Sequence, residues 1–360
     1  MIGARLKLAR DAAGLSLRAL ADSVENRVSA QAIGKYENDR MMPGSDVLLA
    51  LAKALQVTPE YLLSRRDISL SGVEFRRAPG GGAKEERAVE ARVLEQLERH
   101  LVVEEALGLE VAPQRQPLAR FDPIEAPEQA QLAAAALRRT WQLGTDPIPS
   151  MTELLEERGI KVIALDLPVS VSGSKSVAKL ESDRPVLAVI INANHTGERQ
   201  RFTLAHELGH LVLDVAGRLT SREAEKAMDQ FAGAFLVPVE ELRRLAGAHR
   251  NDVSLGELVE LKRHFQVSLQ CLVVRLGQTG ILSNVEARRH WQMLKDHGFL
   301  EPPYREPESL APELSHRLHR LAMRAVSEGA LSESKAAEVL GISARVLNDW
   351  LDAEAHATPA

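Results

Sequence analysis

The sequence contains very little cysteine, few aromatic residues and no long apolar run. Among its 360 residues Cys271 is the one cysteine, and only 4% are aromatic. This excludes a disulfide framework and any cysteine-based zinc module, and it fits a reducing cytoplasm, where we expect the protein to work. No stretch approaches 18 consecutive apolar residues, and the start, MIGARLKLAR, is too charged for a signal peptide. We therefore expect no membrane span and no membrane partner.

Charge of neither sign dominates the whole chain. The formal net charge is −5 at pH 7, so the protein as a whole is not a general binder of polyanions. Residues 1–66, however, contain ten Lys and Arg against seven Asp and Glu. Any contact with nucleic acid is therefore expected from this basic block.

The length corresponds to two or three domains, and we predict an α+β fold that is mostly α. Three consecutive glycines and several prolines mark a linker. Within it, the apolar spacing over residues 83–107 predicts a charged helix, which either pairs across a dimer or stays a free solvated helix. The predicted segments are a five-helix domain (1–66), the linker with its charged helix (67–127), an α+β domain (128–284) and a small helical C-terminal region (285–360).

The first segment contains the signals of several short helices. Ser16 and Ser29 are good N-caps, and Gly14 suits the end of the first helix. Five short helices, two of them joined by a tight turn, are typical of a helix-turn-helix domain. The strings LARDAAGLSLRALADSV, SAQAIGKYENDRMMP and LLALAKALQVTPEYLL resemble the Cro/C1-type (XRE) helix-turn-helix family of phage repressors. Asp39 stands where that family usually has glycine, and Asp tolerates the left-handed conformation better than most residues.

The resemblance implies that the start of the recognition helix enters the major groove of operator DNA, bound by a homodimer. There Gln31 would hydrogen-bond a base edge and Lys35 would contact phosphate. The alternative is a helical bundle for protein contact, in which both side chains are merely solvated. The expected DNA-binding residues are Ser29, Ala30, Gln31 and Lys35.

The string FTLAHELGHLVL contains an H-E-x-x-H motif formed by His206, Glu207 and His210. On a helix the two histidines share one face and can hold one metal ion, while Glu207 can act on a water molecule. The alternative is a helix with two surface histidines. Catalytic zinc takes three protein ligands, so a third ligand should lie on a neighbouring helix.

The downstream helix SREAEKAMDQFAGAFL offers that third ligand. Glu225 and Asp229 are spaced i and i+4, so they project together. This spacing predicts Glu225 as the ligand and Asp229 as the carboxylate that bonds a ligand imidazole. Glu223 is the competing candidate for the third ligand. The alternative without a metal ligand is a solvated, charged start of the helix.

The middle segment resembles the ImmA/IrrE family of zinc metallopeptidases. The matching features are the helix end at 141–144, a helix leading into a strand at 154–162, a buried strand at 186–192, the H-E-x-x-H helix and the spacing of Glu225 and Asp229. The resemblance implies a zincin-like α+β domain that uses Zn²⁺. Its metal ligands would be His206, His210 and Glu225, and its catalytic base Glu207. Such proteases cut a repressor protein, sometimes within a toxin–antitoxin operon.

Other side chains receive simpler interpretations. Cys271 is expected to pack in an apolar helix, and Asn192 and Asn194 to form a turn or bond a substrate backbone. Residues 332–351 resemble a second helix-turn-helix, but this one lacks a basic recognition face, so protein contact is favoured over DNA. Surface roles are expected for His195, His249 and His264.

Two functions fit these patterns. In the first, a DNA-binding regulator carries an active peptidase that cuts a repressor or itself when a signal arrives. In the second, the peptidase fold is not an enzyme: it senses a ligand or binds a partner such as a cognate toxin, and DNA binding is the output. The first function is favoured by the complete set of candidate site residues, which are His206, Glu207, His210 and Glu225.

Overall fold

The computed structural model describes most of the chain, and it is an α+β fold that is mostly α, as predicted. The residues it describes are 2–25, 27–55, 57, 59–63, 68–71, 83–109, 123–167, 173–180, 185–215, 217–301 and 304–356. Among these residues, no helix combines the length and the apolar character needed to span a membrane.

The helices are, in chain order, α1 (Gly3–Ala12), α2 (Leu17–Ser23), α3 (Ala30–Glu37), α4 (Ser45–Leu55), α5 (Pro59–Leu63), α6 (Ala83–Ala106), α7 (Ala130–Thr140), α8 (Met151–Glu157), α9 (Gly197–Val212), α10 (Ser221–Leu236), α11 (Val239–Ala246), α12 (Leu255–Phe265), α13 (Leu269–Gln278), α14 (Asn284–Asp296), α15 (Arg317–Ser327), α16 (Glu333–Leu340) and α17 (Ala344–His356). The strands are β1 (Ile68–Ser71), β2 (Lys161–Leu165), β3 (Gly173–Leu180) and β4 (Pro185–Asn192).

The chain divides into two compact units, and the first contains both ends of the sequence: Met1–Ala112, Ser176–Ala188 and His316–Ala360. Helices α1 to α5 form the five-helix domain that the sequence predicts. Ser16 accepts a hydrogen bond from the backbone N–H of Ala19, which fixes the start of α2 as expected of an N-cap. The core of this domain includes Leu6, Leu20, Ile33, Leu51 and Leu62.

Helix α6 packs against other helices of its own unit. Val93, Leu97 and Leu101 are fully buried, and the helix packs against α1 and α15 within the first unit. The interpretation as a free solvated helix is therefore wrong, because the chain's own helices cover its apolar seam. A buried ion pair between Arg5 of α1 and Glu98 of α6 adds a charged contact to this packing. In the same unit β1 pairs antiparallel with β3.

The second unit comprises Pro113–Lys175 and Val189–Ser315. Its strand β2 lies beside β4, whose continuous apolar sequence predicts a buried strand. The structure confirms this, since Val189, Ile190 and Ile191 are fully buried. Helix α9, which contains the H-E-x-x-H motif, follows β4 after a short turn, and α10 packs against α9.

Candidate functional site: a recognition helix and a metal centre

The start of α3 is built by a serine cap. The Ser29 hydroxyl accepts a hydrogen bond from the backbone N–H of Ala32, at 3.2 Å, and so satisfies one of the unpaired donors of the first turn. Ala30 is half-buried and packs against the domain core. The hydroxyl of Ser29 therefore has a structural role at the position where the sequence predicts DNA contact.

The two polar candidates of α3 face outward. Gln31 and Lys35 are exposed, whereas Ile33 and Tyr36 on the same helix are buried. The spacing of i and i+4 places the amide and the ammonium on one face. This face has a hydrogen-bonding group one turn away from a positive charge, which suits a base edge and a phosphate respectively.

The end of α3 is held by the first helix. Asp39 adopts a left-handed backbone with φ of 54°, and its carboxylate accepts a hydrogen bond from the backbone N–H of Gly3 at 2.8 Å. Arg10 donates to both carboxylate oxygens of Glu37, at 2.5 and 3.0 Å. The hydrogen bond to Glu37 raises the pKa of Arg10. Asp39 thus takes the conformation that glycine usually supplies and adds a bond that glycine cannot make.

The metal-binding candidates come together on α9. The ligand atoms of His206, Glu207 and His210 all lie within 4.8 Å of one another. His206 and Glu207 are buried, and His210 is half-buried, so the interpretation as two surface histidines does not apply.

Helix α10 brings a carboxylate to the same point. Glu225 lies with one oxygen 3.5 Å from Nε2 of His206 and the other 3.6 Å from Nε2 of His210. Asp229, one turn further along, has Oδ1 at 2.9 Å from Nδ1 of His206. Because a carboxylate only accepts, the Nδ1–H of His206 donates to Asp229, and Nε2 of the same ring faces Glu225.

These separations fit a shared metal ion. Distances of 3.5 and 3.6 Å are longer than ordinary hydrogen bonds. Two ligands about 2.0–2.2 Å from one tetrahedral zinc ion lie roughly 3.4 Å apart, which is close to both values. Two imidazole nitrogens and one carboxylate form the donor set of catalytic zinc sites that leave one position open.

Glu223, the competing candidate, is engaged elsewhere. Its carboxylate accepts hydrogen bonds from the backbone N–H of Thr220 at 2.9 Å and from the Thr220 hydroxyl at 2.7 Å, forming a capping box at the start of α10. The backbone hydrogen bond from Thr220 lowers the pKa of Glu223. The carboxylate that faces both histidines is that of Glu225.

Gly209, inside the motif, allows α9 and α10 to approach closely. A Cβ at this position would lie 3.1 Å from Sδ of Met228 and 3.2 Å from Cδ1 of Phe231, closer than nine in ten real Cβ contacts. The missing side chain therefore lets α10 pack where Glu225 and Asp229 reach the histidines. Sequence reasoning did not single out this glycine, although its place between Glu207 and His210 is visible in the motif.

Sequence reasoning also missed a buried charge cluster at the start of α9. Lys262 of α12 is fully buried, and its ammonium donates to Glu198 at 2.6 Å and to Glu306 at 2.8 Å. A buried cation within hydrogen-bond distance stabilises the ionised form of the Glu198 carboxylate. Accordingly, the pKa of Glu198 is lowered: the hydrogen bond and charge of Lys262 and backbone N–H groups outweigh burial, which alone would raise it.

The segment around Leu310 and Ala311, which precedes α15, crosses the start of α9. A Cβ at Gly197 would lie 2.1 Å from the carbonyl oxygen of Ala311, so only glycine permits this crossing. Glu313 pairs with Arg201 at 2.5 Å and accepts hydrogen bonds from backbone N–H groups at the start of α8. Nothing in the periodicity of this segment predicts these contacts.

The turn after β4 has a structural role. The side chain of Asn192 accepts the backbone N–H of Asn194 at 3.0 Å, which supports the turn interpretation of both residues. His195 follows in this turn and is buried, so its predicted surface role is wrong. His249 is exposed, and the half-buried His264 contacts Glu241 at 2.9 Å.

A cavity of about 420 Å³ opens beside Asp229. Its lining includes Phe202, Cys271, Phe299 and Tyr304, so much of its wall is apolar and aromatic. Burial raises the pKa of Cys271 to about 12, and this thiol is therefore not a nucleophile but a packing group, as predicted. Charged residues, among them Glu198, Arg199 and Arg275, also line the cavity, whose volume lies in the range of small-molecule pockets.

Comparisons with known proteins match both parts of the chain. A helix-turn-helix family model matches residues 6–62, and a peptidase family model described as "IrrE N-terminal-like domain" matches residues 155–277. A solved structure titled "Mycobacterium tuberculosis transcriptional regulator" is 17% identical, with a TM-score of 0.29, and the match covers 51% of this chain and 52% of that one. The chain thus spans about half the length of that protein. No curated protein matches the chain significantly.

Proposed function

The chain joins an XRE-type helix-turn-helix domain to an IrrE N-terminal-like domain of a metallopeptidase family, and from this we propose a DNA-binding transcriptional regulator with an active zinc peptidase. The observation that carries the proposal is the position of Glu225, whose two oxygens face the Nε2 atoms of His206 and His210. The domain limits that we propose are 1–66, 67–127, 128–284 and 285–360.

Each residue of the metal centre has a separate role in the proposed hydrolysis. A zinc ion bound by His206, His210 and Glu225 would supply a Lewis acid and lower the pKa of water. Asp229 fixes the tautomer and the orientation of His206 through the 2.9 Å contact at Nδ1. Glu207 takes the proton of the attacking water on its carboxylate and passes it to the nitrogen of the leaving amine.

The helix-turn-helix domain would bind operator DNA as a homodimer. Two copies of α3 would then enter the major groove at half-sites about one helical turn apart on a roughly palindromic site. Gln31 would discriminate between bases and Lys35 would contribute charge, since both are exposed on one face of α3. We propose that one such site lies upstream of the protein's own gene.

The substrate that we propose is a repressor protein or the chain itself. We propose that the cleavage site lies within residues 78–127 but outside helix α6, because linkers are where backbone can enter an active site. Parts of this segment, residues 78–82 and 110–122, lie outside the described residues. A cut there would separate residues 1–66 from the rest of the protein. If the dimer contacts lie downstream of the cut, the released domain would bind only one half-site of the operator DNA.

The deciding experiment compares the wild type with Glu207→Gln. Both proteins, loaded with zinc and DNA, are incubated with extract from stressed cells, and intact mass and DNA binding are followed over time. A cut that occurs only in the wild type, with loss of DNA binding, supports a self-cleaving regulator. Identical mass and identical DNA release in the two proteins would select the second function, a sensor or antitoxin without peptidase activity. A separate repressor that is cut only by the wild type would support cleavage in trans.

A further inference from the structure

A groove of about 890 Å³ lies within the first unit, between helices α1 and α5 of the helix-turn-helix domain and helices α6 and α16. Sites for small molecules in proteins have volumes of roughly 300–1,000 Å³. Much of the groove wall is aliphatic: Ala9, Ala12, Leu55, Val57, Val102, Val339, Leu340 and Ile342.

The charged side chains that line this groove are paired, with one exception. The pairs are Arg99 with Glu95 at 2.6 Å, Lys335 with Glu338 at 2.7 Å, and Glu98 with Arg5 of α1. Arg92 has no such partner among the described residues, and its Nε is buried without a hydrogen-bond acceptor. The groove therefore presents one uncompensated positive charge within aliphatic walls.

This arrangement specifies the chemistry of a ligand. A buried guanidinium N–H without an acceptor is unfavourable, and an anionic oxygen would satisfy it with a charge-assisted hydrogen bond. The aliphatic walls would at the same time take up apolar surface. We propose that the groove binds a small monoanionic amphiphile: one carboxylate, or a comparable anion, at Arg92 and an aliphatic body along α1 and α16. Because Arg92 is the one unpaired cation among the described residues that line the groove, a polyanion such as a nucleotide is a poor fit.

The groove is connected to the recognition helix through α1. This helix supplies Ala9 and Ala12 to the groove wall, and Ala13, which follows its last residue, also lines the groove. Between them, Arg10 holds Glu37 at the end of α3. A ligand packed against α1 would therefore act on the contact that positions α3, and the affinity for DNA should change with it. This regulation is separate from the proposed peptidase, whose residues belong to the second unit.

The test uses the full chain and decanoate as the probe, with binding measured by isothermal titration calorimetry. The wild type should bind one decanoate per chain, and Arg92→Gln should weaken binding at least tenfold, as expected for a lost charge-assisted hydrogen bond. Arg222→Gln, which removes an exposed arginine of the second unit, is the matched control and should bind like the wild type. Ala13→Trp, which leaves Arg92 in place and fills the groove, should also weaken binding.

Circular dichroism and thermal unfolding establish that each variant is folded. Absence of saturable decanoate binding by the wild type, or equal binding by Arg92→Gln, would overturn the proposal. Decanoate should also shift the dissociation constant for a footprinted DNA site in the wild type and not in Arg92→Gln; equal behaviour of the two would overturn the regulatory part. Glu207→Gln should bind decanoate normally, so failure of the peptidase proposal is distinguished from failure of this one.

Discussion

The carboxylate of Asp229 lies 2.9 Å from Nδ1 of His206, and this contact determines which imidazole nitrogen faces Glu225. The two residues are 23 positions apart and belong to different helices, α9 and α10. The contact therefore depends on close packing of the two helices, and the metal centre is a property of that packing.

Asp229→Ala is expected to lower zinc affinity about 10- to 100-fold, because His206 loses the acceptor that fixes its tautomer and orientation. Competition with a chromophoric chelator measures the dissociation constant. Arg222→Gln, which removes an exposed charge from the same helix, is the control and should leave the dissociation constant unchanged. Unaltered zinc affinity in Asp229→Ala would show that the contact does not orient a ligand.

Glu225→Ala should abolish stoichiometric zinc binding, whereas Glu207→Gln should retain about one zinc per chain and lose hydrolysis. The reason is that Glu225 faces both Nε2 atoms, while Glu207 is assigned to proton transfer. Metal analysis of the purified variants separates the two roles. If Glu225→Ala keeps its full zinc content, Glu225 is not a zinc ligand.

Gly209→Ala should destabilise the protein by roughly 1–3 kcal/mol and reduce zinc occupancy, since the new Cβ would press on Met228 and Phe231. This outweighs the gain of about 1 kcal/mol in helix propensity. Gly256→Ala in α12 is the matched control, because the nearest atom to a Cβ there is 3.9 Å away. Chemical denaturation compares the two, and equal stability of both variants would contradict the role of Gly209.

Gln31→Ala should reduce discrimination between operator and non-operator DNA by about 1–3 kcal/mol, the cost of a lost bidentate base contact. Lys35→Ala should instead weaken binding to all sequences and make its salt dependence less steep. Fluorescence anisotropy at several salt concentrations distinguishes the two effects. If both variants keep the wild-type affinity for DNA and the wild-type salt dependence, this face of α3 does not contact DNA.

The sequence predicted the local features well. Serine caps, the H-E-x-x-H spacing and the apolar run of β4 each depend on residues within a few positions of one another, and the structure has these elements where the patterns place them. The fold class is also confirmed. Even Asp39, a departure from its family's pattern, was interpretable, because Asp tolerates a left-handed backbone better than most residues.

The features that the sequence did not reveal depend on distant partners. Lys262 and Glu198 look like surface residues until a contact across 64 positions buries them. Helix α6 has an apolar seam whose partner, α15, lies more than 200 residues further along the chain. Hydrophobic periodicity identifies a face to be buried but not the element that buries it.

Anomalous diffraction from crystals of the zinc-loaded protein would locate the metal ion and its ligands. We expect one zinc ion bound by Nε2 of His206, Nε2 of His210 and the carboxylate of Glu225, with bonds of about 2.0–2.2 Å and Asp229 still at Nδ1 of His206. A zinc ion bound without Glu225, or through Nδ1 of His206, would contradict it.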